Sequence, residues 1–195
     1  MWWNRRELSP EVLRAAYSQG LFPMGEGGEI CWYRPRKRAI IPLDCFHIPR
    51  SLARTLRLGR FEVTFDRDFS GVMDACAERK PTWITAKIKS AYLDLHHEGN
   101  AHSVEVWVDG KLAGGLYGVH LGGAFFAESK FHRVTDMSKV ALASLVDRLR
   151  GQDFDLLEVQ YLTDHLQQFG TIEITHGAYL KILKPALIRD CSFYR

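Results

Sequence analysis

Cysteine is scarce and scattered. The 195 residues include four, Cys31, Cys45, Cys76 and Cys191, and no two form a C-x-x-C pair. That excludes paired-cysteine redox and zinc motifs. The four read as reduced, buried thiols of a cytosolic chain rather than as disulfides. No apolar run approaches the roughly 20 residues that a membrane-spanning helix needs. Met1-Trp2-Trp3-Asn4-Arg5-Arg6 lacks an apolar core and a small-residue cleavage site, so no signal peptide is expected. None of the eight histidines stands at metal-ligand spacing, and His96-His97, being adjacent, point to different faces of a helix. Ser129, His132 and Asp136 offer the residue types of a triad, but no nucleophile elbow surrounds the serine. There is no internal repeat and no low-complexity tract.

What is present is the composition of a soluble globular chain, 46% hydrophobic and 25% charged, long enough to bury a substantial core. The net charge of +3 says little; its distribution says more. Arg34, Arg36, Lys37 and Arg38 cluster, and Arg50, Arg54, Arg57 and Arg60 recur at spacings that line up one helix face. Such a stripe suits a phosphate backbone, although a merely solvated surface accounts for it equally well.

Ser9 and Pro10 open a helix that runs to about Gln19 and stops at Gly20. A Gly-rich turn and a strand, Ile30 to Tyr33, follow. Pro35 and the basic cluster mark the end of a small N-terminal subdomain, residues 1–38, ahead of a main domain, residues 39–195. In the main domain, strands are expected at Ala39–Leu43 and Phe61–Phe65, then helices at Asp68–Arg79 and Thr85–His97. Val104, Val106 and Val108 alternate on one strand, and Asp109-Gly110 turns it into a hairpin with Leu112–His120. A second turn at Gly122-Gly123 leads into a strand ending at Glu128, where the chain heads for a helix capped by Asp136. Leu142, Leu145, Val146 and Leu149 form that helix's buried stripe, and Gly151 ends it. A strand at Phe154–Gln160, a short helix at Thr163–Phe169, a last strand and a helix at Ala178–Ile188 complete the order. This is an α+β pattern, a mostly antiparallel sheet flanked by helices, and it resembles the GNAT-like acyltransferase fold. An acyl-CoA enzyme of that fold needs a glycine-rich turn to cradle pyrophosphate. Here the stretch from Ser129 to Thr135 contains no glycine, so a different acyl donor is expected.

Two sets of side chains point to chemistry. Glu158 and Gln160, two apart on a predicted strand, would share a face; an acid beside an amide can take the proton of an attacking amine and steady a tetrahedral intermediate. Two solvent-facing polar residues on an edge strand would look the same. Glu128, beside an apolar and aromatic wall, can hold a protonated α-amino group or simply stand at a helix entry. Trp83 can stack on a nucleobase or belong to the core.

The segments Ala16-Tyr17-Ser18-Gln19-Gly20-Leu21-Phe22-Pro23, Thr82-Trp83-Ile84, His102 to Trp107, Gly114-Gly115-Leu116-Tyr117-Gly118-Val119, Glu128-Ser129-x-Phe131-x-Arg133 with Ser138-Lys139, and the run around Gln160 together resemble the leucyl/phenylalanyl-tRNA–protein transferases over residues 8–185. The resemblance implies a bacterial cytosolic enzyme with no metal and no cofactor. It implies transfer of Leu or Phe from aminoacyl-tRNA to the N-terminal Arg or Lys of acceptor proteins, which marks them for N-end-rule degradation. It assigns the catalytic pair to Glu158 and Gln160, the carboxylate near the aminoacyl group to Glu128, and the apolar pocket to Leu116, Phe125, Leu142 and Leu157. Trp83 falls where an aromatic packs on the terminal adenosine, with Tyr17 nearby, and Arg50, Arg54 and Arg57 are expected on the acceptor stem. Lys130 stands where the family usually has Met in the pocket, and Met24 where Trp is frequent. The segment before Leu8 is short and lacks the family's Gly-rich stretch. Two other functions remain open: a small-molecule acyl or aminoacyl transferase of the same fold, and a non-catalytic module that binds aminoacyl-tRNA or a degron.

Overall fold

The computed structural model describes residues 8–194; the stretch read above as free of an export signal lies outside that range. Helix α1 (Pro10–Tyr17) begins where expected, with Ser9 Oγ accepting from the Val12 N–H at 3.4 Å and Pro10 in the first turn. Strands β1 (Phe22–Glu26) and β2 (Glu29–Tyr33) form a separate two-stranded hairpin.

The main sheet uses β3 (Lys37–Ile41), β4 (Glu62–Phe65), β5 (Ala101–Val108), β6 (Lys111–Leu121), β7 (Ala124–His132), β8 (Leu156–Glu158) and β9 (Ile172–Thr175) in the order β4-β5-β6-β7-β8-β3-β9. All neighbours are antiparallel except β7 and β8, which run parallel. The β5–β6 turn is tight because Asp109 and Gly110 both take positive φ, 49° and 70°.

Two apolar clusters cover the two faces. On one face, α1, α3 (Phe69–Ala77), α4 (Ala86–His97) and α7 (His176–Leu187) pack Leu13, Tyr17, Phe22, Tyr92 and Tyr179 around Phe126 of the sheet. On the other, α2 (Arg50–Leu58), α5 (Met137–Gly151) and α6 (Asp164–Gln167) enclose Leu116, Phe125 and Leu157 with the stripe Leu142, Leu145, Val146 and Leu149. The architecture is thus a mixed, mostly antiparallel α+β sheet with helices on both faces and a small N-terminal piece, as the element order predicts.

Three local expectations are corrected. Strand β7 does not stop at Glu128 but runs on to His132, leaving only 133–136 to join it to α5. Asp136 sits ahead of α5 with φ 68° and makes no capping bond; its carboxylate pairs with Lys139 at 2.8 Å and accepts from Thr55 Oγ1 at 3.3 Å. Of the four free cysteines, Cys76 alone is fully buried, and Cys45 is exposed.

The feature that positions the site is a bulge. Along β6 and β7, Tyr117 faces Ser129 but Gly118 faces Ala127, so Glu128 is an extra residue with no partner. A bulge of one residue reverses side-chain alternation beyond it. Glu128 therefore points to the α4 side, beside Tyr92, while Lys130, opposite Leu116, points to the α5 side. Gly118 makes room for this kink, since a Cβ there would lie 2.3 Å from the Phe126 carbonyl oxygen and 2.4 Å from the Phe125 ring. Replacing Gly118 with Ala is expected to cost roughly 1–3 kcal/mol by overpacking, measured by urea denaturation. A neutral result would mean that the bulge does not depend on the missing side chain.

Candidate active site

Strands β7 and β8 pair only from Ala124–Leu156 to Phe126–Glu158. Beyond that, β7 stays with β6, whereas the chain after β8 turns off at Gln160, held at φ 62°. A cavity of about 300 Å³ lies where the two strands part. Ala127, Glu128, Ser129 and Lys130 line it from β7; Val159, Tyr161, Thr163, His165 and Leu166 line it from the chain after β8. Leu116, Leu142 and Arg79 complete the wall. Five of these residues are aliphatic, which gives the cavity a greasy interior with an acid at one end and cations at the other.

Behind the acid end lies a buried polar cluster. Arg38 was grouped with exposed basic residues, yet its side chain and that of Glu158 are each 1% exposed. Arg38 Nε donates to Glu158 Oε1 at 3.0 Å, and a second guanidinium nitrogen is 2.9 Å from the same oxygen. Nη1 donates to the Gly20 carbonyl at 2.7 Å, and the Tyr179 ring centroid lies 4.5 Å below the guanidinium. The Gln160 N–H adds a third bond to Glu158 Oε1, at 2.8 Å. Tyr92 Oη donates to Glu128 Oε2 at 3.4 Å, and the Tyr17 and Tyr92 hydroxyls bond to each other.

Glu158 and Gln160 do come together, though not by alternation along a strand. Strand β8 ends at Glu158, and the left-handed turn at Gln160 brings its amide toward Glu128, close enough to favour the ionised carboxylate without a bond of full geometry. Three buried polar atoms of this cluster have no partner among the described residues: Glu128 Oε1, Glu158 Oε2 and Gln160 Nε2.

The charges follow from counting. Arginine stays protonated at any physiological pH, so the cluster has one fixed cation and two carboxyls. Burial raises both carboxyls. The Arg38 charge pulls Glu158 back down. Glu128 has no such cation. Burial pushes it up to about 8; the Tyr17 hydroxyl draws it down, and the Glu158 charge pushes it further up. Burial leaves Glu158 raised on balance, but the adjoining guanidinium favours its anion, so of the two acids Glu128 is the one that keeps its proton at neutral pH.

At the other end, Lys130 pairs with His165, Nζ to Nδ1 at 3.0 Å. Burial, then Arg79 and Lys139, lowers the ammonium to about 8. Burial, then Lys130 and Lys139, lowers His165 to about 4, so the imidazole is neutral and accepts from Lys130.

The remaining expected site residues scatter. Phe125 and Leu157 face each other across β7 and β8, fully buried beneath the cavity rather than lining it. Tyr17 is also buried, its ring against Phe126, so that it offers a hydroxyl to the acid cluster and no open stacking face. Trp83 lies beside β1, its carbonyl accepting from the Gly25 N–H at 3.0 Å; Trp83 and Met24 are both half-buried there. Arg50, Arg54 and Arg57 lie exposed on α2, which is tied through Thr55 to the start of α5; Arg60 falls beyond Gly59, outside the helix. Arg38, Tyr92, Tyr161 and His165 were missed. No local pattern marks Arg38, because its partner is 120 residues away.

The site and fold thus describe a transferase-like α+β protein with an acid–amide cluster opening into an apolar cleft. The chain belongs to the leucyl/phenylalanyl-tRNA protein transferase family. Residues 40–184 match that family's model, and residues 6–36 match the model of its N-terminal domain. The chain is 52% identical over 189 residues to the leucyl/phenylalanyl-tRNA–protein transferase of Ruegeria pomeroyi, covering 95% of this chain and 90% of that protein. It is 52% identical over 187 residues to the protein of the same name from Zymomonas mobilis, covering 92% of this chain and 70% of the other. Among solved structures it is similar to a ribosomal-protein-alanine N-acetyltransferase from Brucella melitensis, with a TM-score of 0.41 and 14% identity over 55% of this chain and 85% of that one. Among the described residues no helix is long and apolar enough to cross a membrane.

Replacing Arg38 with Met should lower stability by roughly 3–5 kcal/mol, because it strands a buried carboxylate. Urea denaturation measures this, and a loss below about 1 kcal/mol would mean that the pair is not desolvated as described.

Proposed function

We propose that this protein moves Leu or Phe, and also Met, from aminoacyl-tRNA to the N-terminal Arg or Lys of acceptor proteins in the cytoplasm, marking them for N-end-rule degradation. Family membership supports the donor and the reaction. The observation that carries the chemistry is the group of three partnerless polar atoms beside the apolar cavity. Buried polar groups require partners, and two carboxyl oxygens with one amide N–H suit an α-amino group, an attacking amine and a developing oxyanion.

The donor's side chain occupies the cavity against Leu116 and Leu142. Its α-amino group meets Glu128, whose proton and the incoming amine form an ion pair stronger in this desolvated setting than in water. Trp83 and Met24 flank the terminal adenosine, and Arg50, Arg54 and Arg57 hold acceptor-stem phosphates, contacts that carry no sequence information. The acceptor's amine attacks the ester carbonyl and passes a proton to Glu158, which Arg38 keeps ionised. Gln160 Nε2 donates to the oxyanion. As the C–N bond forms, the ester C–O bond breaks and the ribose oxygen leaves with the proton. The ester arrives activated, so positioning and proton handling suffice.

The test is transfer of labelled Leu, Phe or Met from charged tRNA to a peptide starting with Arg. The expected result is transfer by the wild type and a fall in kcat of about 100-fold in Gln160→Ala with tRNA affinity retained. No transfer from any of the three donors would refute the activity, and an unchanged kcat would remove Gln160 from the mechanism.

A further inference from the structure

At the mouth of the cavity, next to Gln160, Tyr161 lies 45% exposed in an otherwise well-packed region. Its ring stands edge-on to buried Phe22, with centroids 6.1 Å apart. Tyr33 of β2 stacks on the same Phe22 at 6.0 Å and 20°. The Tyr33 hydroxyl lies near enough to Tyr161 to feel its charge. The Tyr33 hydroxyl in turn donates to the carboxylate of Glu26, which is exposed at the tip of the β1–β2 hairpin, where Glu29 pairs with it across the strands. One buried aromatic ring thus holds two half-open tyrosines, with the Glu26 carboxylate at the edge of Tyr33.

Nothing in the acid cluster requires this arrangement. Arg38 packs on the inner side of Phe22, at 5.3 Å, and is already neutralised by Glu158. The exposed aromatic faces and the Glu26 charge remain available. Aromatic faces bounded by carboxylates favour a flat or compact organic cation over a neutral or anionic group. We propose that Tyr33, Tyr161 and Glu26 form the subsite for the cationic side chain of the acceptor's first residue, a guanidinium or an ammonium, which positions the adjoining α-amine at Glu158 and Gln160. This rests on the transfer reaction proposed above for the identity of the ligand, but the preference for a cation comes from the patch itself. It locates acceptor selection on the β1–β2 hairpin and at the mouth of the cavity, apart from the Leu116 and Leu142 wall that takes the donor side chain.

The patch can be read without the donor. Calorimetry with a tetrapeptide beginning with Arg, and with the same peptide beginning with uncharged citrulline, measures its charge preference directly. The wild type should bind the Arg peptide about tenfold more tightly. Tyr161→Leu and Glu26→Gln should each weaken the Arg peptide about fivefold and reduce the ratio, while Tyr161→Phe, which keeps the ring, should bind as the wild type does. Because the two positions are exposed and lie on different elements, loss of fold in one variant leaves the other to decide. In the transfer assay Glu26→Gln, which lies outside the cavity lining, should raise the acceptor KM rather than lower kcat or raise the donor KM. Equal binding of the two peptides by the wild type, or unchanged Arg-peptide affinity in both disruptive variants, would overturn the subsite. Charge-selective binding lost in the variants but without any transfer would uphold it and refute the reaction instead.

Discussion

The site depends on one buried ion pair. Arg38 and Glu158 lie almost wholly out of water, joined by two short contacts to a single oxygen and backed by a backbone N–H and an aromatic ring. An isolated charge at that depth would be prohibitive, and paired charges there are tolerated only with good geometry. The pair fixes the charge of its surroundings. With one permanent cation available, one carboxylate is stable, and the second acid, Glu128, retains its proton near neutral pH. Two carboxyls of the same chemistry thus differ in protonation because of their neighbours alone.

Backbone geometry makes the pair useful. The bulge at Glu128 and the left-handed turn at Gln160 interrupt strand regularity on either side of the point where β7 and β8 part. One turns an acid toward Tyr17 and Tyr92; the other swings an amide toward that acid. The opening between the strands is bounded by an aliphatic wall that includes Leu142 of α5 and by the acid cluster on the α4 and α7 side. The Lys130–His165 pair marks the far wall. It gives this cavity a polar end that a purely aliphatic pocket would lack, and any side chain bound there must satisfy or displace it.

Much of the fold was legible in the residues. Helix starts at Ser9, Thr85 and Thr163 coincide with side-chain caps, whereas the last helix begins at His176, ahead of the expected Ala178; the valine alternation and Asp109-Gly110 turn define the β5–β6 hairpin. These are local signals, and local chemistry sets them. Glu128, Glu158 and Gln160 were legible as polar residues in the wrong place for a core, but the geometry joining them was not. A bulge depends on a mismatch between two strands, invisible in either strand alone. In sequence Arg38 is one member of a basic cluster, and nothing local sets it apart, because its burial depends on a partner 120 residues away. Phe125 and Leu157 show the opposite limit: strand period puts both on the α5 face, but depth beneath the cavity is decided by packing. Tyr161 follows β8 in irregular chain, where no period applies, and His165 sits on α6, a single turn too short to carry a periodic stripe.

The account stands or falls on the unequal protonation of the two acids. Carboxyl-edited NMR of glutamate-labelled protein, titrated from pH 4 to pH 9 with Glu128→Gln for assignment, measures it directly. One buried glutamate should titrate near 8 and vanish in the variant, while Glu158, beside the Arg38 guanidinium, should titrate below it. Because the folded chain keeps this proton above its unfolded value, the contribution of Glu128 to stability should fall as pH rises toward 8, and Glu128→Gln should relieve that fall. If both carboxyls titrate together near the ordinary glutamate value, the cluster is hydrated and the single-proton arrangement is contradicted.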